Sequence, residues 1–178
     1  MRVIAGSLKG RRLKTPTWDG VRPTSDKLRE TLFNILAPRI ERARVLDGYA
    51  GTGAIGIEAL SRGAAHVTFV ERDRRAQALV AENLAHCGVR DGYAIIRASV
   101  ARALDRPGAE PFDIMFFDPP YHAQADGDLA AAGDSLADGG LVVLEHAKRA
   151  VSPDCLGALA RVRVVTSGDS ALAFYSKP

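Results

Sequence analysis

The spacing of hydrophobic and polar positions changes character near residue 44. Beyond it, short apolar runs alternate with stretches of helical spacing. The runs predict strands at Arg44–Gly48, His66–Glu71, Tyr93–Arg97, Phe112–Phe117 and Gly140–Glu145. Helices are predicted at 53–62, 73–87 and 99–104, with a further one from about 126 to 137. Ile114 to Phe117 and Leu141 to Leu144 are apolar without a break. Such strands are buried on both faces, as in a parallel sheet covered by helices. The chain ends differently: Arg161–Thr166 and Ala171–Ser176 are joined by Ser167-Gly168-Asp169-Ser170. That is a hairpin signal, so the sheet is expected to finish with an antiparallel strand.

Ahead of residue 44 the pattern is weaker. Residues 2–14 alternate loosely, with turn signals at Gly6-Ser7 and Gly10, and predict a hairpin of Arg2–Ala5 with Arg11–Lys14. Residues 15–23 read as loop. Thr24-Ser25-Asp26 is a helix-start signal, followed by Leu28, Leu32, Ile35 and Leu36 at helical spacing until Pro38. The expected organisation is an N-terminal hairpin and helix over 1–43, then an α/β unit over 44–178.

Composition leaves this α/β picture intact: 47% hydrophobic and 25% charged residues in a chain of 178 describe a globular domain. Two cysteines, Cys87 and Cys155, cannot build a disulfide framework and read as reduced cytosolic thiols. No apolar run approaches the roughly 20 residues of a membrane span, and the N-terminus lacks the apolar core of a secretory signal. Charge does change the picture. Residues 1–44 hold 11 Lys+Arg against 4 Asp+Glu, a net of +7, while the remainder carries −4. A basic arm on an acidic body points to an anionic partner, nucleic acid first. A merely solvated basic surface is the plain alternative.

Two motifs carry candidate chemistry. Asp47-Gly48-Tyr49-Ala50-Gly51-Thr52-Gly53-Ala54-Ile55-Gly56 follows the first core strand and opens a helix. Its glycines permit a sharp turn and close approach to a ligand. Glu71 stands 20 positions after Gly51, at the end of the next strand, where an acid accepts hydrogen bonds from ribose hydroxyls. An adenosine-type cofactor is implied. NAD and S-adenosyl-L-methionine both suit the spacing, the latter with Asp47 near its amino-acid end.

The second motif is Asp118-Pro119-Pro120-Tyr121, after the buried fourth strand and on the same carboxyl edge. Two prolines hold the chain extended, so the Asp118 carboxylate and the Pro119 carbonyl become rigid acceptors. Two acceptors can grip the two N–H bonds of an exocyclic amine and turn its lone pair toward an electrophile. Tyr121 offers a flat face for a flipped base. Read alone, Asp-Pro-Pro is also ordinary turn chemistry; beside the glycine loop the catalytic reading prevails.

Other residues say less. Cys87 reads as packing, and the four histidines show no metal-ligand spacing, so no metal is expected. Glu145-His146 either lines the pocket or is a polar strand end. Trp18 either stacks on a base or anchors a junction.

These segments together resemble the D-type family of bacterial small-subunit rRNA methyltransferases, which modify guanine-966 of 16S rRNA at N2. The arm RVIAGSLKGRRLKTP, RPTSDKLRETLFNIL, VLDGYAGTGAIGIEALSRGA, FVERD, FFDPPY, VVLEH and SGDSALAFY carry the resemblance over nearly the whole chain. It implies a Rossmann-like methyltransferase sheet of seven strands, the last antiparallel, with S-adenosyl-L-methionine as donor. Asp47, Gly48, Gly51, Gly53 and Glu71 fall on its cofactor positions, Ser99 where Asp or Asn often contacts adenine, and Asp118 to Tyr121 on its catalytic tetrad. Lys27 stands where Arg is usual. Lys9, Arg11, Arg12, Arg22 and Arg29 are the candidate phosphate contacts. The partner implied is 16S rRNA within a small-subunit assembly intermediate, met by a monomer in the cytoplasm. Adenine-N6 methylation of nucleic acid, an NAD-dependent oxidoreductase and a non-catalytic assembly factor are the competing readings.

Overall fold

A computed structural model describes residues 1–18, 24–119 and 126–178. Helix α1, Asp26–Leu36, starts at Ser25, whose hydroxyl accepts the Leu28 amide (3.2 Å). The alternation that follows is β1 Arg44–Gly48, α2 Ala54–Ser61, β2 His66–Val70, α3 Arg74–His86, β3 Tyr93–Ile96, α4 Val100–Leu104 and β4 Phe112–Phe117. After it come α5 Asp126–Ala130, α6 Ala132–Ser135, β5 Leu136–Ala147, β6 Cys155–Leu156, β7 Leu159–Ser167 and β8 Ser170–Ser176.

Among the described residues the strands form one sheet in the order β3-β2-β1-β4-β5-β8-β7-β6. β1 to β5 are parallel, and β8 is inserted antiparallel between β5 and β7. Among the described residues this sheet has eight strands rather than the expected seven. The addition is the two-residue β6, which pairs Cys155 and Leu156 with the start of β7. The last strand is antiparallel as expected.

Strand alternation divides the core between two faces. Val45, Val67, Phe69, Ile114, Phe116 and Val143 pack with buried residues of α1, α2 and α3. Leu46, Val70, Met115, Phe117, Val142 and Leu144 face α4, α5 and α6 on the other side.

Two expectations are corrected. The helix expected over 126–137 is two short helices, because Leu136 already enters β5 opposite Phe112. The expected N-terminal hairpin is reduced to one bridge, Arg2 with Arg12, closed by hydrogen bonds from the Val3 amide to the Arg11 carbonyl and from the Gly10 amide to the Val3 carbonyl (both 2.9 Å). The ladder stops there because the Ile4 and Ala5 amides donate instead to the Glu58 carboxylate of α2 (2.7 and 2.9 Å). Val3, Leu13, Leu28, Leu32, Phe33 and Leu36 join the core of the sheet, so the N-terminal elements share its interior.

Candidate active site

Register brings the two motifs together. Gly48 of β1 lies level with Val70 of β2 and with Phe117 of β4. Tyr49, Glu71 and Asp118 are therefore the first residues beyond three adjacent strand ends. The chain turns at once after β1: the Tyr49 and Ala50 amides both donate to the Val70 carbonyl (3.0 Å each), and the Gly53 amide donates to the Ala50 carbonyl (2.7 Å). Gly51 and Gly53 have φ of 55° and 76°, in the left-handed region that side chains disfavour. Gly48 leaves no room for a side chain, because a Cβ there would stand 2.6 Å from the Phe117 ring.

Glu71 spans the cradle. Its Oε2 accepts the Gly51 amide (3.0 Å) and its Oε1 the Asp73 amide (2.9 Å), while Gln77 Nε2 donates to its backbone carbonyl (2.7 Å). Asp47 lies inside the turn, buried, with Oδ2 accepting the Gly56 amide (2.9 Å). Burial pushes its pKa up to about 7, the neighbouring Glu71 charge adds to the rise, and the Gly56 N–H opposes it. Ser99, half-buried, caps α4 by accepting the Arg102 amide (3.2 Å).

Asp118 and Pro119 are half-buried at the end of β4. Pro120 and Tyr121 lie outside the described residues, as does Arg22.

A residue that the sequence did not single out joins this edge. Asp128 of α5, 8% exposed, accepts the Tyr49 hydroxyl at Oδ2 (2.5 Å) and the Ala101 amide at Oδ1 (2.7 Å). Arg72 Nη2 stands 3.9 Å from the same Oδ2. Burial, reinforced by the Asp128 hydrogen bond and charge, raises the Tyr49 pKa. No spacing rule would have found this pair, whose members are 79 positions apart.

The candidate phosphate contacts divide. Lys9, Arg11 and Arg12 are exposed. The turn carrying Lys9 is fastened to the end of α2, where the Ser7 amide donates to the Ser61 carbonyl (2.7 Å). That end is one helix length, about 12 Å, from the glycine loop. Arg29 is a correction: it is fully buried and unavailable to phosphate. Its Nη2 donates to the Arg2 carbonyl and to Asp26 Oδ1 (2.7 Å each), and its Nη1 lies 3.7 Å from Glu58 Oε2. A helix-face pattern cannot separate an outward arginine from one recruited by a buried acid.

The chain returns toward the site after the arm. Lys14 and Asn83 exchange hydrogen bonds, and Asn83 Nδ2 also donates to the Thr52 carbonyl of the glycine loop (2.9 Å). The Arg75 guanidinium stands 5.1 Å over the Trp18 ring, and Thr24 Oγ1 donates to the buried Glu145 Oε2 (3.4 Å).

Comparison with known proteins gives a consistent answer. A family model described as conserved hypothetical protein 95 matches residues 1–176. The chain is 38% identical over 182 residues to "Putative rRNA methyltransferase YlbH" of Bacillus subtilis, covering 99% of each. It is 40% identical over 148 residues to ribosomal RNA small subunit methyltransferase D of Escherichia coli K12, covering 82% of this chain and 74% of that protein. The solved structure described as "Putative methyltransferase yhhF from Escherichia coli" has a TM-score of 0.87 at 33% identity, covering 99% of this chain and 97% of that one.

Proposed function

The chain belongs to the family of ribosomal RNA small subunit methyltransferase D, and from that premise we propose that it methylates the exocyclic N2 of a guanine in 16S rRNA. The methyl donor in this reading is S-adenosyl-L-methionine. The substrate is the rRNA in a small-subunit assembly intermediate, and the enzyme works as a monomer in the cytoplasm.

The residues present fit that cofactor. The turn at Gly51 and Gly53 keeps backbone and ligand free of intervening side chains. Glu71 has lone pairs beyond the two amide bonds it accepts and can take ribose hydroxyls. Asp47 offers a carboxyl group to the amino-acid end, and Ser99 borders the adenine end. When bound, the cofactor supplies an electrophilic methyl group on a sulfonium.

The chain's own groups do the positioning. The Asp118 carboxylate and the Pro119 carbonyl accept the two N–H bonds of the guanine amine and direct its lone pair. Tyr121 supports the flipped base by stacking. The Asp118 charge favours the positive charge that grows on the nitrogen. Orientation and electrostatics are sufficient; no residue forms a covalent bond to the substrate. Lys9, Arg11 and Arg12 bind phosphates at the far end of α2, which extends the RNA footprint along this face of the protein.

The observation that carries the reading is the level placement of Gly48 and Phe117 on adjacent strands, with the glycine loop after one and Asp118-Pro119 after the other. The deciding experiment is methylation of 16S rRNA, naked and in partly assembled subunits, followed by nucleoside mass spectrometry. N2-methylguanosine is the expected product; N6-methyladenosine, or no methylated nucleoside, overturns the reading.

A further inference from the structure

Lys14 and Trp18 mark the ends of a stretch laid against α3. The fully buried Asn83 side chain pins the Lys14 backbone, accepting its amide (2.7 Å) and donating to its carbonyl (3.1 Å). At the other end of the stretch, the Trp18 ring lies 5.1 Å beneath the Arg75 guanidinium. The helix rises about 12 Å from Arg75 to Asn83, and the chain from Lys14 to Trp18 can span up to about 13 Å. Residues 14–18 therefore run back along α3, from the basic arm to the carboxyl edge of the sheet. We propose that Trp18, backed by Arg75, is a stacking platform for an unpaired base of the RNA beside the cofactor cradle. The proposal rests on the reading of the chain as an RNA methyltransferase.

The plain alternative for a tryptophan is a packing anchor, and its surroundings argue against that. Trp18 is half-buried and belongs to neither of the apolar clusters that flank the sheet. The group over its ring is a cation, and that cation is itself held in place. Arg75 Nη2 and Nε donate to the Asp73 carboxylate (2.9 and 3.3 Å), and the Asp73 amide donates to Glu71 Oε1 (2.9 Å). The ring is thus oriented, through two residues, from the acid read as the ribose acceptor. A planar guanidinium stacks on an aromatic face, and the layered pair is a surface that a base can extend. Arg72 and Arg74 are exposed at the same end of α3 and suit the phosphates on either side of a stacked base. Sites for single-stranded nucleic acid combine cations for the backbone with aromatic faces for the bases. Arg11 and Arg12 provide the first at one end of the stretch, and Trp18 the second at the other. The platform also has work to do: a base that leaves its stack strips its neighbours of their stacking energy, and an aromatic face beside the site returns part of it.

Trp18 is the chain's one tryptophan, so its fluorescence reports on this position alone. The test titrates the full chain with a single-stranded RNA oligonucleotide of mixed sequence, and separately with the same strand annealed into a duplex. The single strand is expected to quench the emission with the midpoint that filter binding gives; the duplex, whose bases are already stacked, is expected to leave it nearly unchanged. Trp18→Leu is expected to weaken binding of the single strand about five- to a hundredfold, and Trp18→Phe to restore most of the loss. Stacking releases no counterions, so the slope of log K against log salt should stay that of the parent. Emission that ignores the single strand, or responds equally to the duplex, overturns the proposal. So does Trp18→Leu with a lowered melting midpoint and unchanged RNA affinity, which marks an anchor, or with weakened S-adenosylhomocysteine binding alone, which marks a cradle contact. Nucleoside analysis of methylated 16S rRNA judges the functional reading separately. N2-methylguanosine made by a parent whose emission ignores RNA sinks the platform and leaves that reading standing, whereas single-strand quenching without guanine methylation supports the platform and sinks the reading.

Discussion

Glu58 and Arg29 face each other across the contact of α2 with α1, both fully buried, with 3.7 Å between Oε2 and Nη1. Glu58 also accepts Arg62 Nε (2.8 Å) and the amides of Ile4 and Ala5. One carboxylate thus ties the N-terminal segment and two helices together. Removing Glu58 leaves the buried Arg29 charge with only the exposed Asp26 carboxylate as counter-charge among the described residues and deprives the Ile4 and Ala5 amides of their acceptor. Glu58→Ala is therefore expected to lose about 3–5 kcal/mol in denaturant unfolding. Amide exchange at Ile4 and Ala5 should rise in the same variant. A loss below about 1 kcal/mol would reduce the pair to an ordinary surface bridge.

Asp47 makes stability depend on pH in an unusual direction. Its pKa is near 7 in the folded chain against 3.8 for the free side chain. The folded state therefore binds the proton more tightly than the unfolded one, and stability falls as pH rises between those values. Asp47→Asn keeps an acceptor for the Gly56 amide and removes the titration. Its advantage over the parent in urea unfolding is expected to grow from about pH 4 to about pH 7 and level off above. An advantage that is flat across this range would show that Asp47 titrates normally.

Asp118→Ala is expected to abolish turnover and leave cofactor binding nearly intact, because in the proposed reading this carboxylate grips the substrate amine and not the cofactor. Calorimetry with S-adenosylhomocysteine and single-turnover methylation on the same preparation check both halves. Methyl transfer at the parent rate would remove Asp118 from the mechanism.

Replacing Lys9, Arg11 and Arg12 together by Ala is expected to weaken RNA binding and flatten its salt dependence. Three phosphate contacts on a single-stranded region correspond to a drop of about 2 in the slope of log K against log salt. Cofactor affinity should be unchanged. Filter binding over a salt series decides the matter: an unchanged slope would reassign these side chains to a solvated surface.

Legibility in the sequence followed the range over which each feature is determined. The glycine pattern announces the turn after β1, and the Asp47–Gly56 bond that the structure adds spans only nine positions inside that one strand–loop–helix unit. Helix α1 is announced by Ser25 and its leucines in the same local way. Arg29 was misread because local spacing describes a helix face but not what covers that face. The acid that recruits it comes from a different helix, 29 positions away. Asp128 was missed for the same reason, since its partners arrive through the topology of the sheet. The broken ladder after Val3 belongs here too: Ile4 and Ala5 look like strand residues, and only the buried Glu58 explains why their amides turn elsewhere.

The joint between the N-terminal segment and α2 also bears on how the chain is made. Synthesis delivers the N-terminus first, yet Ile4 finds its acceptor only 54 positions later, and Lys14 meets Asn83 only 69 positions on. Residues 4–14 are thus seated only after α2 and α3 have been made. Until α2 and α3 exist, the backbone of residues 4–14 lacks the Glu58, Ser61 and Asn83 groups that fasten it. A chain that stops short of α2 consequently cannot present the turn at Lys9 in its finished form, and the phosphate binding proposed for this arm would appear only once α2 and α3 are in place.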